Sequence, residues 1–297
     1  AIVGRERLTR RECAIERSRG QDDSMGDCVQ RCSSAQWHPM ATQFDSLLEQ
    51  DSRPEVERHG LAQLMALFYE LPPPPDSFGL YNNYAPLKQR FIDATSSGNL
   101  DLVEEAFLAL YCHIHGYEVP YTDAERSRVT ATAGYLCHPG GVSPILKAAP
   151  HIHGHTVSGD FGSGNGLQGL LLQYLFPHKK AVQIEISSRL TEVGRQLQSW
   201  MGIDDDRVEW LDRDIMEVSP TKMDFVYLYR PVRPIAEGKL FYEQFAAALE
   251  TAPREVVVFS VADCLGSFLS PAFERFFHDG HLSCFRRSSP EDNPGKR

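Results

Sequence analysis

T-V-S-G-D-F-G-S-G-N-G-L-Q-G-L-L-L-Q-Y-L-F-P-H-K-K-A-V-Q-I-E-I, residues Thr156 to Ile186, reads as a strand, a glycine turn, a helix, a basic turn and a second strand. Thr156 to Ser158 open a β-prone run, and Asp160 stands at its exit, ahead of Gly162, Gly164 and Gly166. Glycines at alternate positions let the backbone bend sharply and approach a ligand more closely than any Cβ permits. Leu167, Leu170, Leu171 and Tyr174 recur at helical spacing, so a helix N-terminus faces the turn. Ala181 to Ile186 is a short apolar strand with Glu185 near its carboxyl end. This order is a nucleotide-type βαβ unit, whose ligand is expected at the carboxyl edge of a parallel sheet.

The two acids choose between ligands. A dinucleotide site presents backbone N–H groups to a pyrophosphate, and an acid two residues before the first glycine would repel that diphosphate. Asp160 suits a ligand with a cationic amine, and Glu185 is placed to accept from both hydroxyls of a ribose. Amine and ribose together describe S-adenosylmethionine (SAM). D-F-G-S-G-N-G resembles motif I of the Rossmann-like, class I SAM-dependent methyltransferases. The resemblance implies an α/β fold: a Rossmann-like, doubly wound, mostly parallel sheet with SAM held by Asp160, Gly162, Gly164, Gly166 and Glu185.

Around this unit the chain has 297 residues, 42% hydrophobic and 24% charged, as a globular protein does. A net charge of -10 argues against a wide cationic surface for duplex nucleic acid. Seven cysteines without regular pairing fit a reducing compartment. Neither a bilayer-length apolar run nor a signal-peptide pattern is visible, so the expected location is cytoplasmic.

Residues 1–40 are polar and without apolar period, and are expected to be a loosely ordered leader. Cys28, Cys32 and His38 are too few and too irregular for a metal site. Residues 41–150 are expected to form a helical cap and connector. Apolar periodicity predicts helix over 41–71, ended by Pro72 to Pro75, then over 86–94 and 100–115, with Leu102 on the apolar face. Asp123 is expected to cap its own helix, running to about Tyr135, and Ser77 to Tyr84 to form an aromatic loop. His151, His153 and His155 alternate as on one face of a strand, yet no carboxylate or cysteine joins them at ligand spacing, so no metal is expected.

Residues 151–297 form the SAM-binding domain in this reading. Strands are expected at 207–211, 224–229 and 256–261, helices at 190–201, 238–249 and 273–277, and a single last strand at 281–287. By resemblance, Asp214 would meet the adenine amino group, and Gly141 with Ser143 would lie over the methionine end. The family usually closes its sheet with an antiparallel hairpin, of which only one strand is visible.

At the end of the fourth strand, Tyr229-Arg230-Pro231 replaces the Asn/Asp-Pro-Pro-aromatic motif of many methyltransferases that modify base nitrogens or glutamine amides. Each proline is expected to hold Arg230 and Arg233 in extended backbone at the pocket mouth. A guanidinium there can bind a carboxylate or phosphate bidentately, or pair with a local carboxylate instead. The expected activity is methyl transfer from SAM to an unidentified acceptor, an anionic one being favoured by these arginines, with Tyr229 and Arg230 orienting it. Two alternatives stay open: a nicotinamide-dependent oxidoreductase, and a catalytically silent SAM-fold binding protein.

Overall fold

The computed structural model describes residues 39–116, 121–131, 134–135 and 140–288. Residues 1–38 of the expected leader, with the Cys28/Cys32/His38 group, and residues 136–139 lie outside the described residues, while α1 already begins at Pro39. Helices α1 (Pro39–Leu47), α2 (Glu55–Glu70), α3 (Tyr84–Ser97), α4 (Leu100–His115), α5 (Asp123–Ala131) and α6 (Ser143–Lys147) precede the first strand. Then β1 (Val157–Phe161), α7 (Leu167–Leu175), β2 (Lys180–Glu185), α8 (Ser188–Trp200) and β3 (Val208–Asp212) alternate. They are followed by β4 (Phe225–Tyr229), α9 (Glu237–Glu250), β5 (Val256–Val261), β6 (Glu274–His278) and β7 (Leu282–Arg287).

The seven strands are ordered β3-β2-β1-β4-β5-β7-β6. All are parallel except β7, which runs antiparallel to both β5 and β6. The chain winds outward from β1 to β3, then returns to the middle and winds the other way. That reversal sends α7 and α8 to one face and α9 to the other, the doubly wound arrangement. One apolar cluster joins Phe44, Phe68, Phe107 and Leu170 of the helices to Trp210, Tyr227 and Phe259 of the sheet. A second cluster packs Phe241, Tyr242, Phe245 and Leu249 of α9 on Phe161, Ile184, Val226 and Val258. A parallel sheet buried on both faces accounts for the nearly unbroken apolar runs of β4 and β5.

Several expected elements move. The helix expected over 41–71 is two helices, because Pro54 starts a new one after the Ser52-Arg53 break. Leu102 is 47% exposed, since the buried stripe of α4 is Val103, Ala106, Phe107, Leu110 and Ile114. The cap of α5 is Thr122 rather than Asp123. Its Oγ1 accepts from the Glu125 N–H at 3.2 Å, while Glu125 Oε2 accepts from the Thr122 N–H at 2.7 Å, a reciprocal capping box. The helix is described to Ala131, and Tyr135 lies outside it. Gly134 bridges to Val232, and the Tyr135 N–H donates to the Pro231 carbonyl at 2.9 Å.

Residues 274–278 are a strand and not a helix, so the closing hairpin is complete. The signal was Asp279-Gly280 between two β-prone runs, with Gly280 at φ +89°. The three histidines share no strand face. His151 ends a short 3-10 turn and packs its ring against Phe259 and Phe276 at 5.8 and 5.0 Å, away from the His153–His155 pair.

Candidate functional site

Open α/β sheets bind ligands beyond the carboxyl ends of the strands, where the strand order reverses. In this sheet that point lies between β1 and β4, and a cavity of about 420 Å³ opens there. Asp160, Gly162, Gly164 and Glu185 line it from the βαβ unit, Asp214 from beyond β3, and Tyr229 with Arg230 from the end of β4. Seven of the eleven sequence-expected site residues are therefore brought together (Gly141, Ser143, Gly166 and Arg233 are not among the lining residues).

Asp160 sits on the sheet between Gln183 of β2 and Tyr227 of β4, its register partners. Burial pushes its carboxyl up to about 8, with the Glu185 charge adding to the effect. Burial likewise raises Glu185 to about 7, against the opposing pull of the Ser187 and Gly164 amides. Glu185 Oε2 accepts from the Gly164 N–H and Oε1 from the Ser187 N–H, both at 2.9 Å, which leaves further lone pairs on each oxygen. Two acids buried beside each other form a site that is incomplete without a positive partner.

The glycine turn is already hydrogen-bonded, mostly to the end of β2. The Gly162 and Ser163 N–H groups donate to the Ile184 carbonyl, Gly164 to Glu185, Gly166 to the Ser163 carbonyl and Leu167 to Asn165 Oδ1. These five donors are engaged, so the turn does not offer them to a diphosphate. Gly166 faces packing: a Cβ there would meet the Trp210 ring at 2.4 Å. Gly141 instead supports Gln168, whose Nε2 donates to its carbonyl at 3.0 Å.

At the β4 end, Arg230 adopts φ +36°, left-handed rather than the extended backbone expected before a proline. Two contacts hold the bend. Pro231 packs against Gly162, where a Cβ would come within 3.0 Å of the ring, and the Pro231 carbonyl accepts from Tyr135. The Arg230 and Arg233 guanidiniums lie 4.7 and 5.2 Å from the centre of the Tyr135 ring. Among the described residues neither is ion-paired to a carboxylate.

Sequence reasoning missed Ser163, Gln168, Tyr227, His115 and Tyr135, all of which line the cavity. His115 was read as a helix-end residue, but burial drives it down to about 4 and keeps it neutral. Gln168 sits in a run that reads only as an apolar helix, and nothing short of the fold sets it beside Tyr227.

The raised acids predict how stability depends on pH. A folded-state pKa above the unfolded value means the native state holds the extra proton, so stability falls as pH rises through the gap. From reference values of 3.8 and 4.5 to folded values near 8 and 7, the empty protein is expected to lose thermal stability between about pH 6.5 and 8, because below that range His115 and His151, held down to about 4 by burial, add stability with rising pH and offset the acids. Melting curves over that range check this, and a midpoint rising with pH across the whole window would contradict it.

No family model and no curated protein matches the sequence. Among solved structures, an RNA methyltransferase from Salinibacter ruber bound to S-adenosyl-L-homocysteine is 22% identical, covering 52% of this chain and 94% of that one at a TM-score of 0.39. A methyltransferase from Geobacter sulfurreducens is 14% identical, covering 57% and 92% at a TM-score of 0.41. MtNAS in complex with S-adenosylmethionine is 14% identical, covering 84% and 97% at a TM-score of 0.38. These are distant likenesses, and the residues of the cavity carry the functional reading. Among the described residues no helix is long and apolar enough to cross a membrane.

Proposed function

We propose that the chain is a SAM-dependent methyltransferase with an anionic acceptor. The observation that carries this reading is the glycine turn. Five of the N–H groups at the turn are engaged by β2 and by the turn itself, and its flanks carry two buried acids, which is the wrong chemistry for a pyrophosphate and the right one for a cationic, ribose-bearing ligand. The nicotinamide alternative loses its phosphate cradle for the same reason. Ser163 Oγ and Gln168 Oε1, buried in the cavity wall with no hydrogen-bond partner, are further places for a polar ligand to complete.

When bound, SAM supplies an activated methyl group whose departure needs no proton. Asp160 would hold the ammonium of its amino-acid end, Glu185 the ribose hydroxyls and Asp214 the adenine amino group. Asp214 Oδ1 already accepts from the Met216 N–H at 3.0 Å, which fixes the carboxylate and leaves acceptor capacity for a ligand. Tyr229 and Arg230 would orient the acceptor at the opposite wall, with Arg233 behind them. Positioning in an apolar, water-poor cavity supplies most of the rate effect in such a displacement.

Calorimetry with SAM, S-adenosylhomocysteine, NAD and NADP tests the cofactor, and only the first two are expected to bind. For the acceptor, labelled methyl transfer into the anionic small-molecule fraction of a cell extract is expected. Arg230→Ala should raise the acceptor KM about tenfold to a hundredfold with cofactor affinity intact, as loss of a charge-assisted hydrogen bond implies. If Arg230→Ala and Arg233→Ala both leave turnover unchanged, the anionic acceptor is wrong. Cofactor binding without transfer to any fraction would favour a silent binding protein.

A further inference from the structure

Gln168 lies in the first turn of α7, lines the cavity and is 3% exposed. Its Nε2 donates to the Gly141 carbonyl at 3.0 Å and to the Tyr227 hydroxyl oxygen at 3.1 Å. A backbone carbonyl only accepts, so the first of these bonds fixes which end of the amide is nitrogen. The other end, Oε1, is left buried and unpartnered. The arrangement is built in from the far side too. A Cβ on Gly140 would sit 2.2 Å from Nε2, so a side chain there would push the Gln168 amide out of this position.

Tyr227 is the register partner of Asp160, which puts Asp160, Tyr227 and Gln168 around one corner of the cavity. That corner holds a carboxyl that accepts once ionised, an amide oxygen with nothing to accept, and the Tyr227 hydroxyl, which accepts from Nε2 and has one O–H of its own. Such a corner calls for a group with several N–H donors and a positive charge. A sulfonium has the charge but no N–H, and a ribose hydroxyl has one O–H and no charge. A primary ammonium has three N–H donors and the charge together. Among the described lining residues the only guanidinium or lysine ammonium is that of Arg230, which is exposed and stacked on Tyr135. The cavity is therefore equipped for an amino group more than for a carboxylate.

We propose that Gln168 is a specificity-determining residue whose Oε1 reads the primary ammonium of the ligand, so that the site discriminates on the amino group before the carboxylate. This rests on the reading of the cavity as a SAM site.

The test uses three probes on the full chain: S-adenosylhomocysteine, its desamino analogue and its descarboxy analogue, with affinities from calorimetry. In the native protein, removing the amino group is expected to weaken binding about tenfold to a hundredfold, the cost of leaving a buried acceptor unpaired, and removing the carboxylate to weaken it less. Gln168→Met keeps the length and removes the acceptor. It is expected to weaken S-adenosylhomocysteine about tenfold and to leave the desamino analogue unchanged, so the preference shrinks. Equal weakening of all three probes by Gln168→Met would mean a structural role and overturn the proposal. So would a native protein indifferent to the amino group, a comparison that stands even if the variant fails to fold. Absence of any binding by S-adenosylhomocysteine and SAM would instead sink the cofactor reading, and this inference with it.

Discussion

Asp160→Asn is expected to weaken SAM binding by about a hundredfold or more while leaving the empty protein folded. Removing one partner of a buried charge pair costs about 3–5 kcal/mol, which converts to that range of affinity. In the ligand-free protein the same change removes a buried acid whose carboxyl is raised to about 8. At pH 8 the variant should therefore melt at or above the native temperature, because asparagine has no proton to lose. Native affinity should itself rise with pH between about 6 and 8.5, since a cationic ligand prefers both carboxylates ionised and must otherwise displace their protons. Calorimetry across that range, with melting curves on both proteins, separates the effects. An Asp160→Asn protein that binds SAM at native affinity would remove the electrostatic basis of the functional reading.

Gly166→Ala should produce the largest loss of stability of any single methyl added to the glycine turn. Gly166 has φ +70°, where an L side chain is strained. Its new Cβ would fall 2.4 and 2.8 Å from two atoms of the Trp210 ring. The ring cannot swing aside without breaking the bond from its Nε1 to Gln198 Oε1, at 2.7 Å. Strained backbone and overpacking together imply a loss of about 2–4 kcal/mol. For a domain of this size that lowers the melting temperature by about 5–15 °C. Trp210→Phe in the same chain should recover part of the loss by making room. A variant that melts normally but no longer binds ligand would reverse the assignment and return Gly166 to the ligand face.

This glycine shows where reading the chain and seeing it folded part company. G-S-G-N-G says that the backbone must bend without side chains, but not what each bare Cα faces. In the fold, Gly162 faces Pro231 just beyond β4, and Gly166 faces Trp210 from β3, 44 residues further along. The strands, by contrast, were largely legible. β4 and β5 are short runs buried on both faces, and burial of that kind writes itself as continuous apolar sequence, while β3 at the sheet edge alternates buried Val208 and Trp210 with exposed Glu209. β6 was lost because E-R-F-F-H carries no alternation and its face is largely exposed. The turn that defines it, Asp279-Gly280, was the better signal.

The order strand, glycine turn, helix, strand, with an acid at each carboxyl end, was determined by local sequence, because turn chemistry and apolar periodicity act over a few residues. It was enough to indicate the βαβ unit with Asp160 and Glu185 at its carboxyl edge, and the resemblance to motif I extended that to a doubly wound sheet with Asp214 at the same edge. Which groups meet across that edge was decided only by tertiary structure. The engagement of the Gly164 amide by Glu185, the free oxygen of Gln168 beside Tyr227, and the stacking of Arg230 and Arg233 on Tyr135 all join residues far apart in the chain. Contacts of that kind follow from strand register and helix packing, which no short window of sequence contains.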